Sequence, residues 1–182
     1  MSKVDLSKFD NSLYKPASKI KIILWYFINM FIFKTMIPIP SSLKVKVLRL
    51  FDSKIGERVV IKPNVNIKYP WFLEIGDNCW IGEKVWIDNL AQVTIGNNVC
   101  LSQGSYLLTG SHDYKKEAFD LILGNIVLED GVWIGAKATV CPNVTCKSYS
   151  VLAVGSVATK DLDAYGVYQG NPVVFKRKRQ IK

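Results

Sequence analysis

The stretch "IGDNCWIGEKVWIDN" (Ile75–Asn89) decides the fold, because it places three isoleucines at six-residue intervals. They are Ile75, Ile81 and Ile87, and a glycine follows each of the first two. An α-helix repeats every 3.6 residues and a flat strand every two, so neither can hold this spacing. A period of six predicts short strands joined by tight corners, with the aliphatic side chains inside.

The same spacing continues along most of the chain, which makes the pattern far stronger than a single repeat. Small or β-branched residues mostly stand four positions after each aliphatic one, and we expect Gly, Asn or Asp at the corners. This pattern is the signature of a hexapeptide β-helix, and it predicts a mainly β protein. The interior positions, with a cysteine in one slot, are Ile55, Ile61, Ile67, Ile75, Ile81, Ile87, Ile95, Leu101, Leu107, Leu128, Ile134, Val140, Cys146 and Leu152.

One corner of the predicted triangular coil is enlarged. Three hexads make a turn, yet successive turns are longer, and each extension follows the third hexad, after Ile67, Ile87 and Leu107. The largest extension, the loop 108–127, holds His112, the only histidine of the chain. Since neighbouring turns lie about 4.8 Å apart, we expect Asp88–Gln92 beneath the base of this loop.

The net charge of +9 belongs to the two ends of the chain. Residues 1–54 carry +7 and residues 171–182 carry +5, which leaves residues 55–170 mildly acidic. We therefore expect a basic, partly helical N-terminal segment (1–54), a β-helix domain (55–170) and a basic C-terminal tail (171–182). This distribution argues against a β-helix domain that binds nucleic acid, because its basic residues would then lie on the domain itself. It permits an anionic membrane surface or a phosphorylated ligand at the ends.

The most apolar run, "IILWYFINMFIF" (Ile22–Phe33), predicts a helix that ends before Pro38. It is shorter than the roughly 20 residues of a membrane span, and no signal-peptide cleavage site follows it. Either this helix only covers the end of the domain, or it also lies in a membrane interface. We expect a cytoplasmic protein, with peripheral contact at the inner membrane as the second alternative.

The cysteines predict free thiols in a reducing compartment rather than a metal site. The four cysteines include no C-x-x-C pair, and one histidine cannot complete a Cys/His zinc site. We expect no metal.

His112 is the candidate catalytic residue. A neutral imidazole accepts a proton near pH 7, as an attacking hydroxyl requires, and a positioned histidine contributes typically 10²–10⁴-fold in rate. The alternative from the residue alone is a loop histidine that only makes local hydrogen bonds.

Four further segments carry a family resemblance. The chain is similar, over roughly residues 45–177, to bacterial hexapeptide-repeat O-acetyltransferases, a class that contains the maltose and galactoside acetyltransferases. "YPWFLEIGDNCWIGEKVWIDNLAQVTIG" (69–96) most resembles the colanic-acid-biosynthesis acetyltransferases. The resemblance implies a left-handed parallel β-helix. The four segments are "YLLTGSHDY" (106–114), "VWIGAKATVCPNV" (132–144), "VGSVATKDL" (154–162) and "VYQGNPVVFKRKR" (167–179).

The resemblance implies a role for each acceptor-side residue. His112 would be the general base on the acceptor hydroxyl, attacking the thioester directly with no acyl-enzyme. Asp88 and Asn89 would lie on the acceptor side. Asp113 would orient the loop or be a solvated acid.

The resemblance also implies acetyl-CoA as the donor. Gly135 and Ala136 would contact the thioester and pantetheine arm through the backbone, and Val154, Thr159 and Lys160 would follow along the same groove. Arg177 would bind the nucleotide phosphates. Lys176 and Lys178 are alternatives, because Val174 stands where relatives often carry arginine.

The resemblance implies a homotrimer with active sites between subunits, and we expect transfer to a sugar or lipid-linked glycan in surface-polysaccharide biosynthesis. Trp80, Trp86 and Trp133, each just before an aliphatic position, would then be covered by a ligand or a subunit, or they are ordinary face residues of a monomer. N-acetylation of an amino sugar and antibiotic acetylation are alternatives on the same fold. A non-catalytic β-helix scaffold is the alternative from another class.

Overall fold

The six-residue repeats fold into three parallel β-sheets that form the faces of a prism. The structure is a computed structural model that describes residues 3–181; Met1, Ser2 and Lys182, the ends of the two predicted terminal segments, lie outside the described residues. Strands are numbered along the chain. Sheet A contains β1 (Lys54–Ile55), β4 (Leu73–Ile75), β7 (Val93–Ile95), β12 (Ile126–Leu128) and β15 (Thr145–Cys146). Sheet B contains β2 (Val60–Ile61), β5 (Trp80–Ile81), β8 (Cys100–Leu101), β13 (Trp133–Ile134), β16 (Val151–Leu152), β18 (Gly166–Gln169) and β19 (Val174–Lys178). Sheet C contains β3 (Asn66–Ile67), β6 (Trp86–Asp88), β9 (Tyr106–Leu108), β14 (Thr139–Val140) and β17 (Val157–Ala158).

The predicted interior positions form the core of this prism. Each of them, from Ile55 to Leu152, is at most 7% exposed, and they belong to one apolar cluster. In register, Ile61 pairs with Ile81 and Ile81 with Leu101, so identical hexad positions stack along the axis. The prediction of a parallel hexapeptide β-helix is therefore confirmed.

The corners of the coil use glycine in two ways. The left-handed backbone falls on Asn78 (φ 57°), two residues after Gly76, and Asn64, Asn98 and Asn143 adopt it likewise. At Gly76 an added Cβ would lie 2.8 Å from the backbone of Gly96 in the next turn. The asparagine part of the corner prediction is confirmed. Gly104, Gly131 and Gly155 take the same left-handed backbone, whereas Gly76 is required by the close approach of successive turns.

The enlarged corner lies between sheets C and A, as the repeat lengths predict. It holds a 3₁₀ turn (Pro70–Phe72) after β3 and the segment 88–92 after β6. After β9 comes an antiparallel hairpin, the strands of which are β10 (Gly110–His112) and β11 (Leu121–Leu123). Asp88 pairs with Leu108, so the prediction that 88–92 lies beneath the base of the His112 loop is confirmed.

The N-terminal segment is helical over most of its second half. A 3₁₀ turn (Leu6–Lys8) precedes α1 (Lys19–Ile28), which the Ser18 side chain caps by accepting a hydrogen bond from the Lys21 backbone N–H. A π-helical turn (Asn29–Phe33) continues α1, and α2 (Ser41–Leu50) follows. The helix predicted from the apolar run is confirmed, although it begins at residue 19. Within residues 3–181, no helix combines the length and hydropathy that crossing a bilayer requires.

Side chains of the two helices close the first turn of the coil. Arg49 donates to the carbonyls of Ile55 and Gly56 in sheet A. The buried Lys44 ammonium donates to the carbonyl of Ile61 in sheet B, and the Trp25 indole N–H to that of Ile67 in sheet C, at 2.9 Å. Each of the three edge strands is thus capped by one cationic or indole donor.

The far end of the chain forms a strand. Residues 174–178 of the predicted tail make β19, which pairs antiparallel with β18 at the edge of sheet B. All five of its residues are exposed, and three are Lys or Arg. The tail therefore presents its cations from a fixed backbone.

Candidate active site

The His112 ring lies between two aromatic side chains at the end of β10, next to the tip of the hairpin. Its Nδ1 lies 2.8 Å from the carbonyl oxygen of Phe119. The Phe119 ring stacks on it, with centroids 4.5 Å apart and planes 7° from parallel, and Phe9 packs at 5.6 Å on a tilted plane. The ring is half-buried.

This contact assigns the tautomer of the neutral ring. A backbone carbonyl can only accept, so Nδ1 carries the proton and donates it to Phe119. Nε2 then holds the free lone pair. The arrangement is what a general base requires, because one nitrogen is fixed by a hydrogen bond and the other can accept a proton.

The carbonyl of Phe119 comes from an unusual backbone conformation. Phe119 has φ 53°, a left-handed value that bulky residues rarely adopt. The N-terminal segment braces this hairpin: the Asp5 backbone N–H donates to the carbonyl of Glu117, and Lys8 pairs with the Glu117 carboxylate at 2.7 Å. Strain held by neighbouring contacts is typical of functional sites.

Asp88 lies beneath this hairpin among aromatic side chains. The Tyr106 hydroxyl donates to its carboxylate at 3.2 Å, and Trp86 stacks on Tyr106 with centroids 4.8 Å apart. Burial, and then the charge and hydrogen bond of Asp88, raise the pKa of Tyr106 to about 12. Burial and the Asp88 charge also raise the pKa of Tyr69 and of Tyr14. Sequence reasoning missed these three tyrosines, although Tyr106 could have been found from its register beside Trp86.

Asn89 is placed differently from its neighbour. Its side chain is fully buried, and its amide accepts from the Tyr69 backbone N–H at 3.0 Å and donates to the Tyr69 carbonyl. These contacts join two successive turns at the enlarged corner. They fit a structural role better than direct contact with an acceptor.

Asp113 follows His112 and organises the tip of the hairpin. Its carboxylate accepts from the backbone N–H of Lys115 at 3.1 Å, and its own N–H donates to the carbonyl of Asp120. Of the two roles that the sequence left open, orientation of the loop has these contacts in its support.

A cavity lies on the outer face of sheet B, and we call it the sheet B cavity. Its volume is about 950 Å³, within the range of ligand-binding clefts. It brings together Gly135, Ala136, Val154 and Arg177, which the sequence singled out as coenzyme contacts. Thr159 and Lys160 do not line it and are exposed at the next corner, after β17. Its other lining residues are Ser102, Gln103, Trp133, Val151, Leu152, Ala153, Val167, Lys178, Arg179 and Gln180.

The walls of the sheet B cavity differ in chemistry. One wall is apolar and includes Trp133, the indole N–H of which donates to the Ser102 hydroxyl at 2.9 Å. The other carries the cations of β19. Arg179 donates to the carbonyls of Gly131 and Tyr149, which fixes this strand against the coil, while Arg177 lines the cavity. An apolar wall beside fixed cations suits a ligand with an uncharged arm and phosphate groups.

His112 and the sheet B cavity do not meet within one chain. The cavity lies on sheet B, whereas the hairpin projects between sheets C and A, and no residue of 108–127 lines the cavity. The sequence predicts both a catalytic histidine loop and a coenzyme groove. The structure places the loop and the groove on different edges of the prism.

The residues needed for a metal centre are not grouped in the part of the chain that the structure describes. No three His, Cys, Asp or Glu side chains come close enough there to hold an ion. The four cysteines are free thiols, as predicted.

Comparisons with known proteins identify the family. No protein-family model matches the chain. The chain is 37% identical over 166 residues to WcaF of Escherichia coli strain K12, provisionally assigned as a colanic acid biosynthesis acetyltransferase, and the match covers 91% of each chain. It is 32% identical over 126 residues to the galactoside O-acetyltransferase of the same organism, covering 62% of this chain and 58% of that one.

A solved structure shares the fold. The hexapeptide-repeat acetyltransferase VCA0836 of Vibrio cholerae, complexed with acetyl coenzyme A, superposes with a TM-score of 0.81 at 24% identity. The match covers 92% of this chain and 93% of that one. Together with the likeness to WcaF, the fold and the repeats lead to one conclusion: this protein is an acetyltransferase and belongs to the hexapeptide-repeat acetyltransferase family that includes WcaF.

Proposed function

We propose that this enzyme transfers an acetyl group from acetyl-CoA to a sugar hydroxyl of a surface-polysaccharide precursor, with His112 as the general base. The observation that carries the proposal is the hydrogen bond from His112 Nδ1 to the Phe119 carbonyl, because it leaves Nε2 free to accept a proton. A solved neighbour of the same fold is complexed with acetyl coenzyme A, which supports this donor.

The proposed reaction needs one base and no covalent enzyme intermediate. Nε2 takes the proton of the sugar hydroxyl as its oxygen attacks the thioester carbonyl carbon, and a new C–O bond forms. The tetrahedral intermediate then expels the thiolate by breaking the C–S bond. The imidazolium returns its proton to the sulfur, giving coenzyme A and the acetyl ester.

The proposed acceptor lies on the Asp88 side of His112. The Asp88 carboxylate can accept a hydrogen bond from a second sugar hydroxyl. Aromatic rings such as that of Trp86 can pack against the apolar face of a sugar. Asp113 orients the hairpin, and Asn89 positions this corner by joining it to Tyr69. A lipid-linked glycan precursor would present such a hydroxyl at the inner membrane, and acetyl-CoA as the donor supports a reaction on the cytoplasmic side.

The proposed donor site is the sheet B cavity. Gly135 and Ala136 would let the pantetheine arm approach the backbone, and Arg177 would bind the nucleotide phosphates. Because His112 lies on another edge of the prism, we propose a homotrimer in which one subunit supplies the hairpin and its neighbour the cavity. Thr159 and Lys160, exposed beyond β17, would then complete the groove from the adjacent subunit. Trp80 and Trp133, on the outer face of sheet B, would be covered in the assembly.

Thiol release from acetyl-CoA with a panel of sugars tests the proposed reaction. We expect His112→Ala to lower turnover at least about 10²-fold. Ser111→Ala, at the exposed neighbouring position of β10, should keep wild-type turnover and serves as the matched control. Equal turnover of His112→Ala and wild type, with unchanged circular dichroism, would exclude His112 as the base. Product analysis by mass spectrometry separates an ester from an amide, so an amide on an amino sugar would replace O-acetylation by N-acetylation.

Subunit mixing tests the shared active site. His112→Ala and Gly135→Val should each be inactive alone. When the two are co-expressed, some interfaces pair an intact hairpin with an intact cavity, so activity should reappear. If the mixed assembly stays inactive while each variant still forms trimers, the site is not shared between subunits.

A further inference from the structure

Helix α1 and its π-helical continuation carry an apolar face that no other part of residues 3–181 covers. We call it the α1 outer face: Ile20, Ile23, Leu24, Phe27 and Phe31. These residues are between 51% and 80% exposed, and their spacing of three or four places them on one side of the helix. Soluble proteins rarely expose a contiguous row of large apolar side chains, and such rows mark interaction sites.

The opposite side of the same helix already supplies the packing that the fold requires. Trp25 is 2% exposed, and its indole N–H bonds to Ile67. Phe33 is fully buried, and both rings pack against each other with centroids 5.3 Å apart. The α1 outer face therefore adds nothing to the core, and its apolar character needs another explanation.

The segment that carries this face contains charged residues of a single sign. Residues 11–51 contain seven Lys or Arg and no Asp or Glu. Among residues 3–181, Lys21 and Arg49 of this region pair with Asp52 and Glu57 further along the chain. Exposed cations also stand beside the apolar row, with Lys15 and Lys19 before it and Lys34 after it. Such a combination attracts an anionic partner.

These features favour a lipid surface over a second copy of the chain. Two α1 outer faces packed on each other would bring their lysines together and would be opposed by like-charge repulsion. An apolar stripe with lysines beside it is typical of a helix that lies in the plane of a bilayer with anionic headgroups. At ten residues, α1 can lie in the interface but is too short to cross it.

We infer that the α1 outer face is a membrane-binding surface for bilayers that contain anionic lipids. The apolar side chains enter the acyl boundary, and Lys15, Lys19 and Lys34 contact the headgroup phosphates. The inference goes beyond the proposed reaction and is independent of it, since binding can be measured without substrate.

Co-sedimentation of the full-length protein with vesicles tests this inference. We expect binding to vesicles of phosphatidylcholine with 30% phosphatidylglycerol, about tenfold or more above binding to phosphatidylcholine alone. The double variant Phe27→Ser/Phe31→Ser should lose at least about tenfold in binding to the anionic vesicles. Because both side chains are exposed, the fold should be unaffected, which circular dichroism checks.

A matched control separates this face from general apolar exposure. Phe175 is 51% exposed, the same fraction as Phe27, but it lies on β19 away from the helix. Phe175→Ser should bind vesicles like the wild type. Lys19→Gln/Lys34→Gln should weaken binding and reduce its dependence on salt.

Three results would overturn the inference. The first is a wild-type protein that does not sediment with anionic vesicles. The second is a Phe27→Ser/Phe31→Ser variant that binds them as the wild type does. The third is a change of oligomeric state in this variant, seen by light scattering without lipid, because the face would then be a subunit interface. A result in any of these leaves the acetyltransferase proposal untouched.

Discussion

The sheet B cavity and the His112 hairpin are built in opposite ways. Most residues that line the cavity stand at regular positions of the coil, and the others belong to β19 and the residues that follow it. The hairpin leaves the coil, and single contacts hold its histidine: one carbonyl of Phe119, one stacked ring and one N-terminal brace. The sheet B cavity depends on the space between turns, whereas the hairpin depends on the orientation of the His112 ring.

This difference predicts different responses to mutation. A substitution in the cavity should have its largest effect where the new side chain would fill the gap between two turns. At other positions of the cavity it should only weaken binding of the donor. A change in the hairpin should alter turnover while leaving the affinity for the donor intact.

The largest effect is expected for Gly135→Ala. A Cβ there would lie 2.6 Å from the backbone nitrogen of Val154 in the next turn, so the two turns must separate. We expect the free energy of unfolding to fall by about 1–3 kcal/mol and turnover by about 10²-fold, measured by denaturant unfolding and thiol release. Gly155→Asn is the control, because an added Cβ meets nothing within 4 Å and asparagine accepts the left-handed backbone. Equal behaviour of both variants would contradict the spacing argument.

Arg177→Ala tests the cation wall of the cavity. Loss of a charge-assisted hydrogen bond costs about 1.5–3 kcal/mol, so we expect the KM for acetyl-CoA to rise about tenfold or more while kcat stays within a factor of two to three. Lys176→Ala removes a neighbouring cation of β19 that does not line the cavity, and its KM should stay at the wild-type value. A lower kcat with an unchanged KM would show that Arg177 does not bind the donor.

Phe119→Ala tests the orientation of the histidine. The carbonyl remains, but the stacked ring is lost, and we expect kcat to fall about tenfold with little change in KM for acetyl-CoA. Phe119→Tyr keeps the ring and should restore most of the turnover. If both variants turn over alike, the stacking does not orient His112.

The smallest effect on activity belongs to the coil interior, because it concerns stability and appears only in alkali. Burial raises the pKa of the Cys146 thiol from 9.0 to about 12, with a further contribution from the charge of Asp161. Above pH 9 the unfolded chain therefore releases this proton while the folded protein keeps it, so stability falls as pH rises from 9 towards 12. Cys146→Val removes this thiol, and its Tm should fall less steeply between pH 8 and pH 11. An unchanged slope would show that other groups control alkaline unfolding.

The coil could be predicted from the sequence because its determinants repeat. Every aliphatic hexad position is buried, and the enlarged corner lies where the turn lengths put it. The purpose of Gly76 could not be predicted, since it depends on the distance to a turn twenty residues away. Helix α2 was missed because "SSLKVKVLRL" (41–50) alternates apolar and basic residues over part of its length, as a strand would.

The candidate site was predicted in part. Gly135 and Ala136 were predicted from the family resemblance as coenzyme contacts, and both line the sheet B cavity. The carbonyl of Phe119 could not be predicted, because a left-handed phenylalanine has no sequence signal. The burial of the Asn89 amide could not be predicted either. A polar residue in a sequence is expected to face solvent or substrate, and only the structure shows that this one bonds to the backbone of Tyr69.

The donors of Arg49, Lys44 and Trp25 have a consequence for the solubility of the protein. A stack of parallel strands that ended in bare carbonyls would be a template on which further molecules could add, one prism upon another, into a filament. These three side chains occupy the growth points of all three faces. Truncation of the first 54 residues should therefore convert a discrete enzyme into an aggregating one.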